Sequence, residues 1–453
     1  MERNCRGYCF LNIIFSVLTK IFLEKNYFIY SLYNIFTTLF LFMSKVLSSI
    51  DIGSNNIVCL ISTINSDNKI FIRGASVQEA VGIKGGNIVN VESVTQSILN
   101  AVIKAEKIAR RNIGTLVVNI SGILVKSKTI RGTKNYATSK KITKKDIFSL
   151  AKTLNDSLKE KHKIAIHIVP IASFVNGNQV DNPVGMMANS LDIDFYIMYV
   201  DEIKLNNIRN CFNKVGLKVD NFVFSGYASA LGVLNDHEKE VGSLVINIGA
   251  NLTTFSIVKN NRLLFGNSIQ MAGDSITKDI AEVLGVSTEI AEKIKLLNTN
   301  FYLDKMDENE IIQININNEE SFRVASTKKG TVNDIAKARI DDIIDVVLDI
   351  IDKRDLTNSF DSIVLTGSCS NIQGLDAYVT KITKIKSRIG LITDFYVGSS
   401  MDERLLKGPS FATAVGLINF VNLFYRNNNI EDYRGSNSIF SKVINFLINL
   451  FIS

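Results

Sequence analysis

Across residues 46–422, short runs rich in β-branched residues alternate with longer stretches whose apolar positions recur every three or four residues. A period of two marks strands and a period near 3.6 marks helices, so the alternation predicts an α/β protein. The strand candidates are VLSSIDIG, NIVCLIST, KIFIRGAS, TLVVNIS, IAIHIVP, SLVINIG, TTFSIVKN, RLLFGNSIQ and SIVLTG. The helix candidates are VESVTQSILNAVIKAEKIARR, KKDIFSLAKTLNDSL, EIKLNNIRNCFNKVG, SITKDIAEVLG, STEIAEKIKLLN and VNDIAKARIDDIIDVVLDIIDK. The last carries Ile340, Ile343, Ile344, Val347, Leu348 and Ile351 on one stripe, which is expected to face a core.

Both ends break this pattern. Residues 1–42 are strongly apolar, and the uncharged run 26–44 approaches the length of a membrane span. Asn26, Ser31, Asn34, Thr37 and Thr38 interrupt it, and no small-residue cleavage site follows. Three readings stand: a start of synthesis at Met43, a membrane-associated leader, or a processed segment. The first is favoured because MSKVLSSIDIGS enters the first strand within a few residues. At the other end RNNNIEDYRGSN has linker composition and leads to SIFSKVINFLINLFIS. Ser438, Ser441, Lys442, Asn445 and Asn449 share one side of that segment as a helix. Ile439, Phe440, Val443, Ile444, Phe446, Leu447, Leu450 and Phe451 occupy the rest. Such a helix is about 24 Å long, short for a bilayer crossing and suited to lying in a membrane interface. The alternative is a terminal helix docked on the protein's own core, and Lys442 as the one cation of the segment keeps that alternative open.

A chain of 453 residues exceeds one ordinary core, so two or more domains are expected. The net charge of +7 reads as spread along the chain, which favours solvated faces and argues against a nucleic-acid partner. Cys5, Cys9, Cys59, Cys211 and Cys369 form no CxxC pair, which fits a reduced compartment. His162, His167 and His237 sit in no ligand-like cluster, so no metal is expected beyond a nucleotide's Mg²⁺.

The chemistry lies in a repeat. SIDIGSNNIVCLIS, from Ser49, returns 196 positions later as VINIGANLTTFSIV, with Asn247 in the place of Asp51. A glycine in a turn between two strands lets backbone N–H groups approach a phosphate. Gly53 with Ser54, Asn55 and Asn56, and Gly249 with Ala250, Asn251, Thr253 and Thr254, could both do this. One such hairpin is an ordinary turn. Two, each opening half of a chain, predict duplicated domains facing each other over one ligand. A third phrase, IVLTGSCSNIQGL, sets Gly367 and Ser368 after a buried strand, an arrangement suited to adenosine.

These three phrases together resemble the actin-like ATPase superfamily, and within it the FtsA family of bacterial cell-division proteins. GIKGGNIVNVESVTQSILNAVIKAE, ISGILV, IVPIASFVNGNQVDNPVGM, GLKVDNFVFSGYASALGVL, MAGDSITKDIAEVLG and ATAVGLI carry the likeness in order. The resemblance implies an actin-like (ribonuclease H-like) duplicated fold around a nucleotide cleft. It implies a first half over 43–83 and 167–241 with an FtsA-type subdomain inserted at 84–166. The second half would cover 242–274 and 338–425 around a small subdomain at 275–337. A linker at 426–437 would then lead to the membrane-targeting helix at 438–453, and residues 1–42 have no counterpart. Family members bind ATP, assemble into filaments with themselves, tether FtsZ to the cytoplasmic face of the inner membrane at the division site, and recruit later division proteins.

By the same resemblance the ATP site comprises Asp51, Gly53, Ser54, Asn55, Asn56, Asn247, Gly249, Ala250, Asn251, Gly273, Glu292, Lys293, Arg339, Gly367 and Ser368, with Asp274 close by. Asp51 would hold the waters of Mg²⁺. Three departures point to binding with little or no hydrolysis. Neutral Asn247 replaces an acid that attracts the cation, Ser368 replaces a glycine, and Ser225-Gly226 stand where related enzymes orient the attacking water with Glu or Gln. No catalytic residue is therefore assigned. A sugar or acid kinase lacks its catalytic Asp here. An actin-like adaptor of a pilus or secretion assembly, or a scaffold that has lost nucleotide binding, remains as an alternative.

Overall fold

The computed structural model describes residues 45–427, except 66, 68, 303–306, 319–320, 394 and 399–400. The expected leader (1–42), linker (426–437, save its first two residues) and membrane helix (438–453) lie outside the described residues.

Strands β1 (Lys45–Ile52), β2 (Asn56–Ile64) and β3 (Ile70–Glu79) form an antiparallel meander. All of β2 after Asn56 is buried, as a central strand covered on both faces requires. A short hairpin, β4 (Ile83–Lys84) and β5 (Asn87–Ile88), leads to α1 (Val91–Ala109), which lies against β2 and β3. The side chain of Asn90 caps α1, accepting from the N–H groups of Glu92 and Ser93. The chain then returns as β6 (Thr115–Ile120), parallel to β1.

A separate layer follows: β7 (Lys126–Lys141), α2 (Lys144–Lys159), β8 (Lys163–Val175), β9 (Asn178–Val180) and β10 (Met187–Asp201). They form a four-stranded sheet, β7-β10-β8-β9, with its own core of Ile147, Ala151, Ile168, Leu191, Ile193 and Phe195 against α2. Then α3 (Glu202–Lys214) leads to β11 (Lys218–Phe224), which completes the first sheet beside β6, and to α4 (Ser225–Val233).

The second half repeats the first. β12 (Ser243–Ile248), β13 (Thr253–Lys259) and β14 (Arg262–Ile269) make the meander. Next come α5 (Gly273–Leu284), α6 (Thr288–Asn298), the hairpin β15 (Ile311–Asn318) and β16 (Ser321–Lys328), and α7 (Lys329–Asp352). The stripe expected on α7 is buried at Ile340, Ile343, Ile344, Val347 and Ile351, while Leu348 is half-buried. β17 (Ser362–Thr366), α8 (Leu375–Thr383) and β18 (Lys386–Ile389) add parallel strands beside β12. The order β18-β17-β12-β13-β14 matches β11-β6-β1-β2-β3, parallel for parallel and antiparallel for antiparallel. This is the duplicated actin-like architecture expected.

Two boundaries need correction. The inserted layer does not span 84–166. Residues 91–120 belong to the first sheet and its helix, whereas β10 pairs with both β7 and β8 and so draws in the chain to Asp201. Nor does the second half extend to 425. β19 (Phe395–Val397) pairs with β3, and α9 (Ala412–Asn427) packs on α4, β1, β2 and β6. The hydroxyl of Ser49 donates to the carbonyl of Ala414 at 2.9 Å, fixing that return. Charge is also unevenly placed, contrary to its reading as spread. Residues 126–163 hold twelve Lys and Arg against three Asp and Glu, a net +9 where the whole chain is +7.

Candidate functional site

The two repeated phrases fold as matched hairpins on opposite walls of one cleft. The Gly53 N–H donates to Asn56 O at 2.9 Å, and the Gly249 N–H donates to Leu252 O at 3.0 Å, closing both turns alike. A Cβ at Gly53 would lie 2.7 Å from Asn56 O, so turn closure itself disfavours a side chain there, and one at Gly249 would lie 3.0 Å from Leu252 O, tighter than an ordinary contact. The cleft is lined by Asp51, Gly53, Ser54, Asn55 and Asn56 on one side and Asn247, Gly249 and Ala250 on the other, with Gly367 and Ser368. Its cavity volume is about 190 Å³, opening to solvent at the mouth. Gly367 has φ +89°, and a Cβ there would lie 2.3 Å from Asn247 Oδ1 and 2.5 Å from Ile248 O.

Asp51 is the carboxylate of this wall. Asn119 at the end of β6 orients it, its Nδ2 donating to Asp51 Oδ1 at 2.6 Å and to Ser225 Oγ at 3.0 Å. The other end of the same amide, Asn119 Oδ1, accepts the Ile52 N–H at 2.6 Å. Burial without a compensating cation pushes the Asp51 carboxyl up to about 7. A cation carried in with a ligand would relieve that cost, so the wall fits a metal-bearing anion.

The equivalent position in the second half works differently. Asn247 Nδ2 donates to Ser229 Oγ on α4 at 2.6 Å and to Thr413 Oγ1 on α9 at 3.1 Å. Its amide therefore ties β12 to α4, which packs on strands of both sheets, and to α9, which packs on the first. An acid could not donate those bonds. Asn247→Asp is expected to lose about 1–3 kcal/mol of unfolding free energy, measured by urea denaturation. An unchanged midpoint would mean that the two hydroxyls tolerate either side chain.

The remaining expected residues sit behind the cleft or away from it. The Gly273 N–H donates to Gly249 O at 3.0 Å and the Asp274 N–H to Ala250 O at 2.7 Å, so the start of α5 props the second hairpin from outside. Asn251 turns from the cleft to donate to Asp274 Oδ2 at 2.7 Å. Glu292 accepts from the Thr277 hydroxyl and pairs with Lys295 at 2.7 Å. Lys293 is exposed, and Arg339 is held by Asp279 at 2.7 Å and Asp342 at 3.0 Å, joining α7 to α5. None of Asn251, Gly273, Glu292, Lys293 or Arg339 lines the cleft.

Sequence reading overlooked Asn119, Ser121, Ser410, Phe411 and Thr413, all in the wall. It also overlooked Lys295, buried with its Nζ 3.2 Å from Gly273 O and 2.9 Å from Thr277 Oγ1. Asn119 closes an apolar run, TLVVN, where a polar residue ending a buried strand was a usable signal. Ser225, in the region expected to face the attacking water, does line the cleft, and its hydroxyl donates to Ile120 O at 3.2 Å. Gly226 admits no side chain, since a Cβ would lie 2.6 Å from the Phe224 ring.

Comparison with known proteins agrees with this fold. A family model described as cell division protein FtsA matches residues 244–416, and one described as the SHS2 domain inserted in FtsA matches 122–199. Together they cover just over half of the chain, and the second coincides with the separate sheet. Cell division protein FtsA of Rhizobium meliloti is 28% identical over 389 residues, 83% of this chain and 87% of that protein. The FtsA of Streptococcus pneumoniae is 25% identical over 403 residues, 88% of this chain and 85% of its own. Among solved structures, a PilM–PilN type IV pilus biogenesis complex superposes with TM-score 0.60 at 14% identity, covering 83% of this chain and 98% of that one. MreB5 of Spiroplasma citri bound to ADP gives 0.52 at 12%, covering 85% and 99%. The MamK double helical filament gives 0.50 at 10%, covering 83% and 98%.

Proposed function

Because this chain belongs to the FtsA family of cell-division proteins, we propose that it binds ATP with Mg²⁺ in the cleft, assembles into filaments, and tethers FtsZ to the cytoplasmic face of the membrane at the division site, where later division proteins join. The observation that carries the nucleotide part is the pair of identically closed glycine hairpins facing each other over one cleft. The ADP named in the MreB5 structure and the filament named for MamK support nucleotide binding and self-assembly in this fold. The likeness to a pilus complex concerns the fold alone and lends the pilus-adaptor alternative nothing further.

Bound with the nucleotide, magnesium would neutralise phosphate charge, and Asp51, held by Asn119, is the group that would hold it. The opposite wall offers no second carboxylate, since Asn247 stands there and is committed as a donor to Ser229 and Thr413. Ser225 is a weak base whose hydroxyl is engaged with Ile120 and Asn119. The nucleotide thus acts as a ligand that closes the two halves rather than as a substrate turned over rapidly. Residues 43–453 incubated with ATP and Mg²⁺ are expected to retain nucleotide and to turn over below about one per minute. Faster turnover would overturn the weak-hydrolysis reading, and failure to retain nucleotide would favour the scaffold alternative.

Attachment is assigned to the terminal segment SIFSKVINFLINLFIS. Among the described residues no helix is long and apolar enough to cross a membrane. Removing residues 439–453 from a fluorescent fusion is expected to release it from the membrane. Continued attachment would shift the role to residues 1–42.

A further inference from the structure

The cations of the inserted layer have no part in the cleft, and many of them are already neutralised. Arg131 pairs with Asp194 at 2.7 Å, Lys134 and Lys140 share Asp146 at 2.9 and 3.5 Å, and Lys159 meets Asp156 at 3.5 Å. Of the three acids in residues 126–163 this leaves Glu160. Lys128, Lys161 and Lys163 form a group apart. Lys128 on β7 and Lys163 on β8 flank β10 from either side, their Nζ atoms 5.6 and 5.1 Å from the centroid of the Tyr199 ring. Partial burial, with repulsion from Lys161 and Lys163, draws the Lys128 ammonium below the usual lysine range. Acids on the following segment are engaged elsewhere: Asp201 accepts the Ile203 N–H at 3.1 Å, and Glu202 faces His162 at 3.5 Å. A fold that holds two ammonium groups over one ring, with Lys161 close enough to repel Lys128, presents a local positive potential suited to an anion.

We propose that this face of the inserted layer, centred on Lys128 and Lys163 over Tyr199 with Lys161 beside them, docks on an anionic lipid surface and supplies the electrostatic part of membrane attachment. The inference deepens the tether reading and rests on it. An interfacial helix binds through its apolar area together with attraction to anionic lipid, and stable attachment commonly takes two such signals. SIFSKVINFLINLFIS carries the apolar part and a single cation, Lys442. The inserted layer, residues 126–201, carries the missing charge, with twelve Lys and Arg against seven Asp and Glu. A nucleic acid fits less well. The ring at the centre is covered by two lysines rather than open for base stacking, and the guanidinium of Arg131, farther along the sheet, is committed to Asp194.

The test is flotation of the full chain with vesicles of phosphatidylcholine alone or phosphatidylcholine mixed with phosphatidylglycerol. The wild-type chain is expected to prefer the anionic vesicles by on the order of 100-fold at low salt, a preference that salt near 0.5 M largely screens. The triple variant Lys128→Gln, Lys161→Gln, Lys163→Gln is expected to lose most of that preference while melting as the wild type does. The corresponding triple arginine variant should keep it, which separates charge from a folding defect. A glutamine variant that still prefers anionic vesicles overturns the proposal. So does one that keeps vesicle binding but loses binding to polyglutamate, which would make the partner an acidic polypeptide. Deleting residues 439–453 tests the tail separately, because it should abolish binding to neutral and anionic vesicles alike. If that deletion leaves binding intact while the glutamine variant loses it, the tail reading fails and the basic face stands.

Discussion

Gly416→Ala is expected to cost at least about 3 kcal/mol of stability and to disable the cleft together with the fold. A Cβ at Gly416 on α9 would lie 1.7 Å from Ala228 O on α4 and 3.0 Å from Gly232 N. Its counterpart Gly232 is as tightly placed, with a Cβ landing 2.2 Å from Ala412 O. The obstructing atoms are helix backbone rather than the ends of flexible side chains, so relief requires the helices to move apart. α4 carries Ser225 and Ser229, and α9 carries Thr413. Separation therefore breaks the hold of Asn247 on both helices and displaces a wall of the cleft. Urea denaturation of Gly416→Ala beside Gly114→Ala measures this, because nothing lies within 4 Å of a Cβ at Gly114. Equal midpoints for the two variants would refute the close crossing.

Asp51→Asn is expected to move stability and ligand binding in opposite directions. The Asp51 carboxyl titrates near 7 in the folded protein and near 3.8 unexposed to that burial. A raised carboxyl pKa means that the folded state holds its proton more tightly than the unfolded state does. Its favourable share is present in acid and is lost as pH rises from about 4 toward 7. Above pH 7 the ligand-free wild type therefore carries a desolvated charge that asparagine lacks. The ligand-free variant should melt higher than wild type at pH 8, with the gap closing toward pH 4.5. Affinity for ATP with Mg²⁺ should fall about 10–100-fold, the usual consequence of removing a group that orients a bound metal. Affinity for ATP in the presence of a chelator should change little. Calorimetric titrations with and without Mg²⁺ distinguish these cases. An equal loss in both would place Asp51 against the nucleotide itself, and no loss in either would place the cation elsewhere.

The paired hairpins were legible because their determinants are local. An apolar run, one glycine and a second apolar run set a turn wherever they occur, and Ile-Gly at 52–53 and 248–249 shows the repeat directly. The nine expected strands and six expected helices are all present for the same reason. Of the strands that escaped notice, β7 shows the clearest solvated face. β7, KSKTIRGTKNYATSKK, is exposed along most of its length and reads as a charged loop, yet β10 holds it over twelve aligned pairs from Tyr199↔Lys126 to Met187↔Lys141.

The residues that complete the site lie far apart in the chain. Asn119 reaches Asp51 across 68 positions, and Asn247 reaches Thr413 across 166. No periodicity or motif links such pairs. By itself the sequence determined the α/β class, the duplication, the glycine turns, and the single acid at Asp51 opposite the amide at Asn247. Only the tertiary structure decided that Asn247 is a clasp between the halves, that α9 returns to the first sheet, and that Glu292, Lys293 and Arg339 stand outside the cleft. Turn and helix propensity act within a few residues of the chain, whereas a cleft is made by packing surfaces that meet only after distant strands have paired.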